Sequence, residues 1–117
     1  MPMTLPHADL SRVDRDKVCR YLLKTDHRYG AAKARFFSQF GFSADAWEDM
    51  ARALREHGRC HPVVSMAATG FGTRYEVDGD LSAPDGRQPR VRTVWHVDTG
   101  TIAPRLITAY PLKRVHR

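Results

Sequence analysis

Arg90-Val91-Arg92-Thr93-Val94-Trp95-His96-Val97-Asp98 alternates with a period of two, Val91, Thr93, Trp95 and Val97 on one face and Arg90, Arg92, Val94 and His96 on the other. That pattern belongs to an antiparallel strand with one buried face. Upstream, Gly72 to Leu81 keeps Tyr75, Val77 and Leu81 on a shared face. Pro84-Asp85-Gly86 lies between the two runs and is turn chemistry, so they are expected to form a hairpin. Two more extended runs complete a four-stranded sheet: His61 to Thr69, and Arg105 to Tyr110 between Pro104 and Pro111. In the last run Thr108 is expected on the same side as Leu106 and Tyr110.

Before Pro62 the period is helical. Val18, Tyr21 and Leu22 recur at helical spacing and predict a helix from about Asp14 to Lys24. Ala31 to Phe40 follows, with Phe36, Phe37 and Phe40 on one face and Gly41 as its stop. A third helix is expected to start at a Ser43 cap, carry Trp47, Met50, Ala51 and Leu54 on one stripe, and end at Gly58. Helices first and a sheet afterwards give an α+β fold, about three N-terminal helices packed on a four-stranded antiparallel sheet. Residues 1–13, with Pro2 and Pro6 and no periodicity, read as a flexible leader, 14–112 as one domain and 113–117 as a basic tail.

The 117 residues suit a single core, and 42% apolar with 27% charged composition is ordinary for a globular chain. No apolar run is long enough to span a membrane, and the first residues lack the apolar region of a secretory signal, so a cytoplasmic protein is expected. Cys19 and Cys60 are too few and too far apart for a disulfide framework or a cysteine zinc site, and are expected as buried thiols. Charge is more informative. Lys and Arg number 19 against 13 Asp and Glu, a net +6, and the basic residues cluster between Arg12 and Arg35 and after Pro104. Such a field favours polyanions, although it also serves solubility.

His27-Arg28-Tyr29-Gly30-Ala31-Ala32-Lys33 joins a titratable base to a cation at a helix start. Lys33 sits where the helix dipole disfavours positive charge, and three and four residues before Phe36 and Phe37. A bound phosphate would account for it; so would an aliphatic stem that covers the phenylalanines while the ammonium reaches solvent. His27 can act as a general acid or base near neutral pH, or be a plain loop histidine. His27, His57 and His61 match no metal-ligand spacing, so no metal is expected. Arg92, His96 and Arg74 share a sheet face that is either an RNA-facing surface or a solvated side. Thr108 can donate to a phosphate oxygen or simply reflect strand propensity.

Tyr21-Leu22-Leu23, His27-x-x-Gly30-x-x-Lys33-Ala34-x-Phe36-Phe37, Gly41-Phe42, Arg92-Thr93-Val94-Trp95 and Pro104-Arg105-Leu106-Ile107-Thr108-Ala109-Tyr110-Pro111 together resemble the bacterial domain-of-unknown-function family numbered 6883, over roughly residues 14 to 112. That family resembles the barnase, EndoU, colicin and RelE-like toxin ribonucleases. The resemblance implies metal-independent RNA cleavage without a cofactor, acting on transfer or messenger RNA, with an acidic antitoxin or immunity partner. It implies His27 as general base or acid, Lys33 as phosphate clamp, Arg92 as transition-state cation and Thr108 as hydroxyl donor. Thr73 and Tyr110 rank second, and Arg28, Arg74, His96 and Arg105 are expected to contact RNA. Arg28 stands where the pattern would carry proline, which alters loop stiffness. The alternative is a non-catalytic module that binds RNA or a partner.

Overall fold

The computed structural model describes residues 3–23 and 31–112. Its helical half comprises a π-helix Lys17–Leu22, α1 (Ala31–Gln39) and α2 (Trp47–Cys60), and the strands are β1 (Val63–Thr69), β2 (Gly72–Asp80), β3 (Arg90–Asp98) and β4 (Arg105–Pro111). The strands form one antiparallel sheet in the order β1-β2-β3-β4. The fold is therefore α+β, with three main helical elements among the described residues packed against a four-stranded sheet.

The period-two alternation sorts the side chains into two faces. Tyr75 pairs with Trp95, Val77 with Thr93 and Gly79 with Val91, and Thr93 pairs onward with Ala109. These residues face the helices, and Val77, Val91, Trp95 and Ala109 are fully buried with Val18, Leu22, Phe37, Met50 and Leu54. Leu81 joins them, so the shared face of Tyr75, Val77 and Leu81 is the core side. The other face carries Arg74, Glu76 and Asp78 on β2, Arg92, Val94 and His96 on β3, and Thr108 and Tyr110 on β4. Asp85 lies in the turn between β2 and β3, where Gly86 at φ 89° donates to the Ala83 carbonyl at 3.0 Å.

Thr108 and Leu106 do not share a side. Val94 pairs with Thr108 while the next residue, Trp95, pairs with Leu106, so β4 carries one extra residue, Ile107, at this point. A bulge of this kind shifts the alternation by one. Leu106 thereby enters the core beside Trp95, and Thr108 is freed to join Tyr110 on the polar face.

The helical half departs from expectation in three places. The first helix is a π-helix, closed by the Leu23 amide donating to the Val18 carbonyl five residues back at 2.9 Å; its wider turn buries Val18 and Leu22 and leaves Tyr21 at the margin. Ser43 precedes a short 3₁₀ turn, Ala44–Ala46, and its side chain makes no capping bond. α2 runs through Gly58 to Cys60. Gly58 is there for packing: a Cβ would lie 2.8 Å from Trp95 Cζ2, so only glycine lets the helix lie this close to the indole. Gly41, at φ 100°, does end the preceding helical segment as expected.

The N-terminal segment, from Met3 on, makes contacts with the rest of the domain. Leu5 is part of the core, the Val63 amide donates to the Met3 carbonyl at 2.7 Å, and Arg12 forms a parallel bridge with Arg105 at the edge of β4. Cys60 is exposed and Cys19 half-buried, and both are free thiols rather than core residues.

Candidate functional site

α1 opens with Ala31-Ala32-Lys33 and has no acid in its first turn. Phe37 anchors the helix in the core, which turns Lys33, four residues earlier, toward the polar side of β4. Its ammonium donates to Thr108 Oγ1 at 3.2 Å and lies 3.5 Å from the Tyr21 hydroxyl. The Tyr21 and Tyr110 rings flank it, with centroids 5.2 and 5.8 Å from Nζ. Among the described residues no carboxylate pairs with Lys33. Tyr21 also receives Lys17, whose ammonium stands 4.7 Å from the ring centroid. The hydrogen bond with Thr108, and after it the two lysines, hold the Tyr21 hydroxyl below its ordinary pKa against the opposing effect of burial.

Next to this group lies a second set, in which cations and carboxylates balance. Arg92 is paired across the ladder with Asp78 on one side and Tyr110 on the other. Its Nε and Nη2 bind the two Asp78 oxygens at 2.7 and 2.9 Å, and Glu76 is 3.8 Å from Nη1. Such a two-point carboxylate contact keeps the guanidinium protonated more firmly still, Asp78 first and Tyr110 second. Arg74 holds Glu76 at 3.1 Å. Val94, between Glu76 and Thr108, is fully buried although it belongs to this face, so the long polar side chains form a layer of their own.

The far end of the face is closed by His96. Its Nδ1 meets Asp98 Oδ1 at 2.7 Å and its Nε2 meets Thr69 Oγ1 at 2.9 Å, while Arg105 binds Asp98 through Nε at 2.9 Å. His96 is 7% exposed, a tie between strands more than a surface residue.

Of the residues singled out in the sequence, Lys33, Thr108, Tyr110, Arg92, Arg74 and His96 share this face, with Arg105 at its edge. Thr73 does not. It alternates with Arg74 and pairs with Val97, on the helix side of the sheet. Arg92, Arg74 and Arg105 each hold a carboxylate of the same sheet. His27 and Arg28 lie outside the described residues, as does the basic tail. Tyr21, Asp78 and Glu76 are not singled out by the sequence; Tyr21 hides in an apolar stripe, whereas Asp78 follows once the β2–β3 register is known.

His57 belongs to the core. Its Nδ1 contacts Thr93 Oγ1 at 2.9 Å, and Nε2 lies 3.0 and 3.1 Å from the Val91 and Gly79 carbonyls. Burial drives its pKa down to about 4. Among the described residues no group of three His, Cys, Asp or Glu side chains is arranged to hold a metal. No helix of the described residues is long and apolar enough to cross a membrane.

No curated protein and no solved structure matches this chain. One family model does, over residues 4–113, which takes in the helices, the whole sheet and the Lys33–Thr108 contact; the chain belongs to the family described as Domain of unknown function (DUF6883).

Proposed function

We propose that this domain acts on RNA, as a toxin-like, metal-independent endonuclease of transfer or messenger RNA. The observation that carries the reading is the Lys33 ammonium, set between the Thr108 and Tyr21 hydroxyls with no carboxylate among the described residues to neutralise it. A phosphodiester suits that setting. Its non-bridging oxygens would take the Lys33 charge and the Thr108 hydroxyl proton, and a neighbouring base or ribose would rest against Tyr110.

Cleavage in this reading begins when a base takes the ribose 2′-hydroxyl proton. The 2′-oxygen attacks phosphorus, the bond to the 5′-oxygen breaks, and that oxygen leaves with a proton from an acid. The products are a 2′,3′-cyclic phosphate and a 5′-hydroxyl. Lys33 and Thr108 would stabilise charge on the phosphorane. Tyr21, with its lowered pKa and its place beside Lys33, is a candidate for one proton transfer. His27 is proposed for the other from the sequence alone, as an imidazole that titrates near neutral pH. An acidic antitoxin or immunity partner and a cytoplasmic site of action belong to the same proposal, since an unrestrained ribonuclease harms its host.

A second reading keeps the RNA and removes the cut. It is favoured by the pairing of Arg92 with Asp78 and of His96 with Asp98 and Thr69, which leaves these groups engaged within the protein. Incubation of the purified protein with total RNA in excess chelator separates the two. Fragments ending in cyclic phosphate support the enzyme. RNA that shifts in a gel but stays intact supports the binding module, and RNA neither shifted nor cut overturns both.

A further inference from the structure

The sheet has two outer strands, and they are finished differently. Along β4, the Arg12 amide donates to the Pro104 carbonyl at 2.8 Å and the Leu106 amide to the Arg12 carbonyl at 2.9 Å, so the N-terminal segment covers the start of that edge. Pro104 precedes it and Pro111 is its last residue, and neither has an amide to donate to a further strand. β1 has less protection. Its first amide, Val63, is taken by the Met3 carbonyl. From Val64 to Thr69 the outer side of the strand has no backbone partner among the described residues.

The side chains there are equally unusual. Val64 is 51% and Met66 56% exposed, and Ser65, Ala67, Ala68 and Thr69 are exposed with them. The run Val63-Val64-Ser65-Met66-Ala67-Ala68-Thr69 has no charged residue and no proline, in a chain of net charge +6. Edge strands in soluble proteins are ordinarily blunted by lysine, proline, a bulge or a covering segment; here the pairing with β2 passes over Val64 as a bulge, and the strand is regular from Ser65 to Thr69. This one offers a row of backbone donors and acceptors flanked by apolar side chains, which is the chemistry of strand addition.

We propose that β1 pairs antiparallel with β1 of a second copy, about a two-fold axis at Met66, joining two four-stranded sheets into one of eight strands. Three observations select a second copy. Open edge amides call for an extended segment, and β1 is itself such a segment, so the surface is complementary to itself as a two-fold contact requires. The pairing sets Met66 opposite its equivalent and the small Ser65 opposite the small Ala67 of the second copy, within the regular stretch of the strand and with no charges apposed. The charges on the adjoining strand, Arg74 across from Ala67 and Glu76 across from Ser65, pair with each other at 3.1 Å, so this strand brings no net charge to the contact. The same alignment carries Phe71, 80% exposed at the tip of the β1–β2 hairpin, toward the end of the second copy's strand, where Met3 is itself exposed. This proposal is independent of what Lys33 binds.

Sedimentation of the full chain over a range of concentrations tests it. The wild type is expected to reach twice the chain mass, and Met66→Lys to remain at the chain mass with unchanged circular dichroism and melting temperature. Ala68→Lys, on the same edge, repeats the measurement should Met66→Lys fold poorly. Met66→Cys in a Cys60→Ser background is expected to oxidise to a dimer linked at position 66, because equivalent side chains meet at the axis. A wild type that stays at the chain mass at every concentration overturns the proposal. So does a dimer that survives both lysine substitutions, or a single chain whose β1 is taken up only by a different protein.

Discussion

The Lys33 ammonium and the Thr108 hydroxyl, 75 positions apart in sequence, meet at 3.2 Å and join the first turn of α1 to the polar face of β4. If that contact receives a phosphate, Lys33→Met should lower RNA cleavage on the order of a hundredfold and Thr108→Val about tenfold, the losses expected for removing a charged and a neutral donor from a developing oxyanion. Both variants should keep their melting temperature, because neither side chain is part of the core. Single-turnover rates on a defined RNA check this, and equal rates in wild type and Lys33→Met would exclude Lys33 from the site.

Arg92 spends its charge on Asp78. Asp78→Asn would release it, and the salt dependence of RNA binding should then steepen by about one phosphate contact. Binding isotherms at several salt concentrations report that slope. An unchanged slope would mean that Arg92 does not face RNA.

His57 makes stability depend on pH. Unfolded, the imidazole binds a proton near pH 6.5; folded, burial delays this to about pH 4. The unfolded state therefore binds more protons between these values, so stability is complete above about pH 6.5 and falls as pH drops toward 4, by at most about 3 kcal/mol. Denaturation midpoints at pH 7.5, 6 and 4.5 should decline in that order. His57→Gln, less stable throughout, should lose this part of the decline.

Gly58→Ala sets helix propensity against packing. Alanine favours the helix by about 1 kcal/mol, whereas crowding a filled core costs about 1–3 kcal/mol. The new methyl would stand 2.8 Å from the Trp95 ring, so a net loss of up to about 2 kcal/mol is expected by urea denaturation. A variant as stable as the wild type would show that the indole shifts freely.

The strands are legible in the sequence because alternation, turn residues and flanking prolines agree locally; β3 runs from Arg90 to Asp98 as read. Lys33 is legible for another local reason, a cation in the wrong place for the helix dipole. What escapes depends on distant partners. Gly58 reads as a helix stop until the Trp95 ring is seen against it, and the carboxylate partner of Arg92 is not legible until the β2–β3 register brings Asp78 opposite. The first helix is legible near Val18, Tyr21 and Leu22, but its π geometry is not, since helical spacing looks alike in both forms at this length.

Ile107 divides β4 into two halves that answer to different demands. Leu106 is judged by volume, against Trp95; Thr108 and Tyr110 are judged by hydrogen bonding and charge, against Lys33 and Arg92. A substitution at Leu106 can be repaired by repacking alone, without touching what Thr108 meets. Deleting Ile107 would leave Leu106 and Thr108 adjacent on a regular strand, Leu106 still against Trp95 and Thr108 still against Val94, so β4 can lose the residue that divides it and keep both side chains on their own faces.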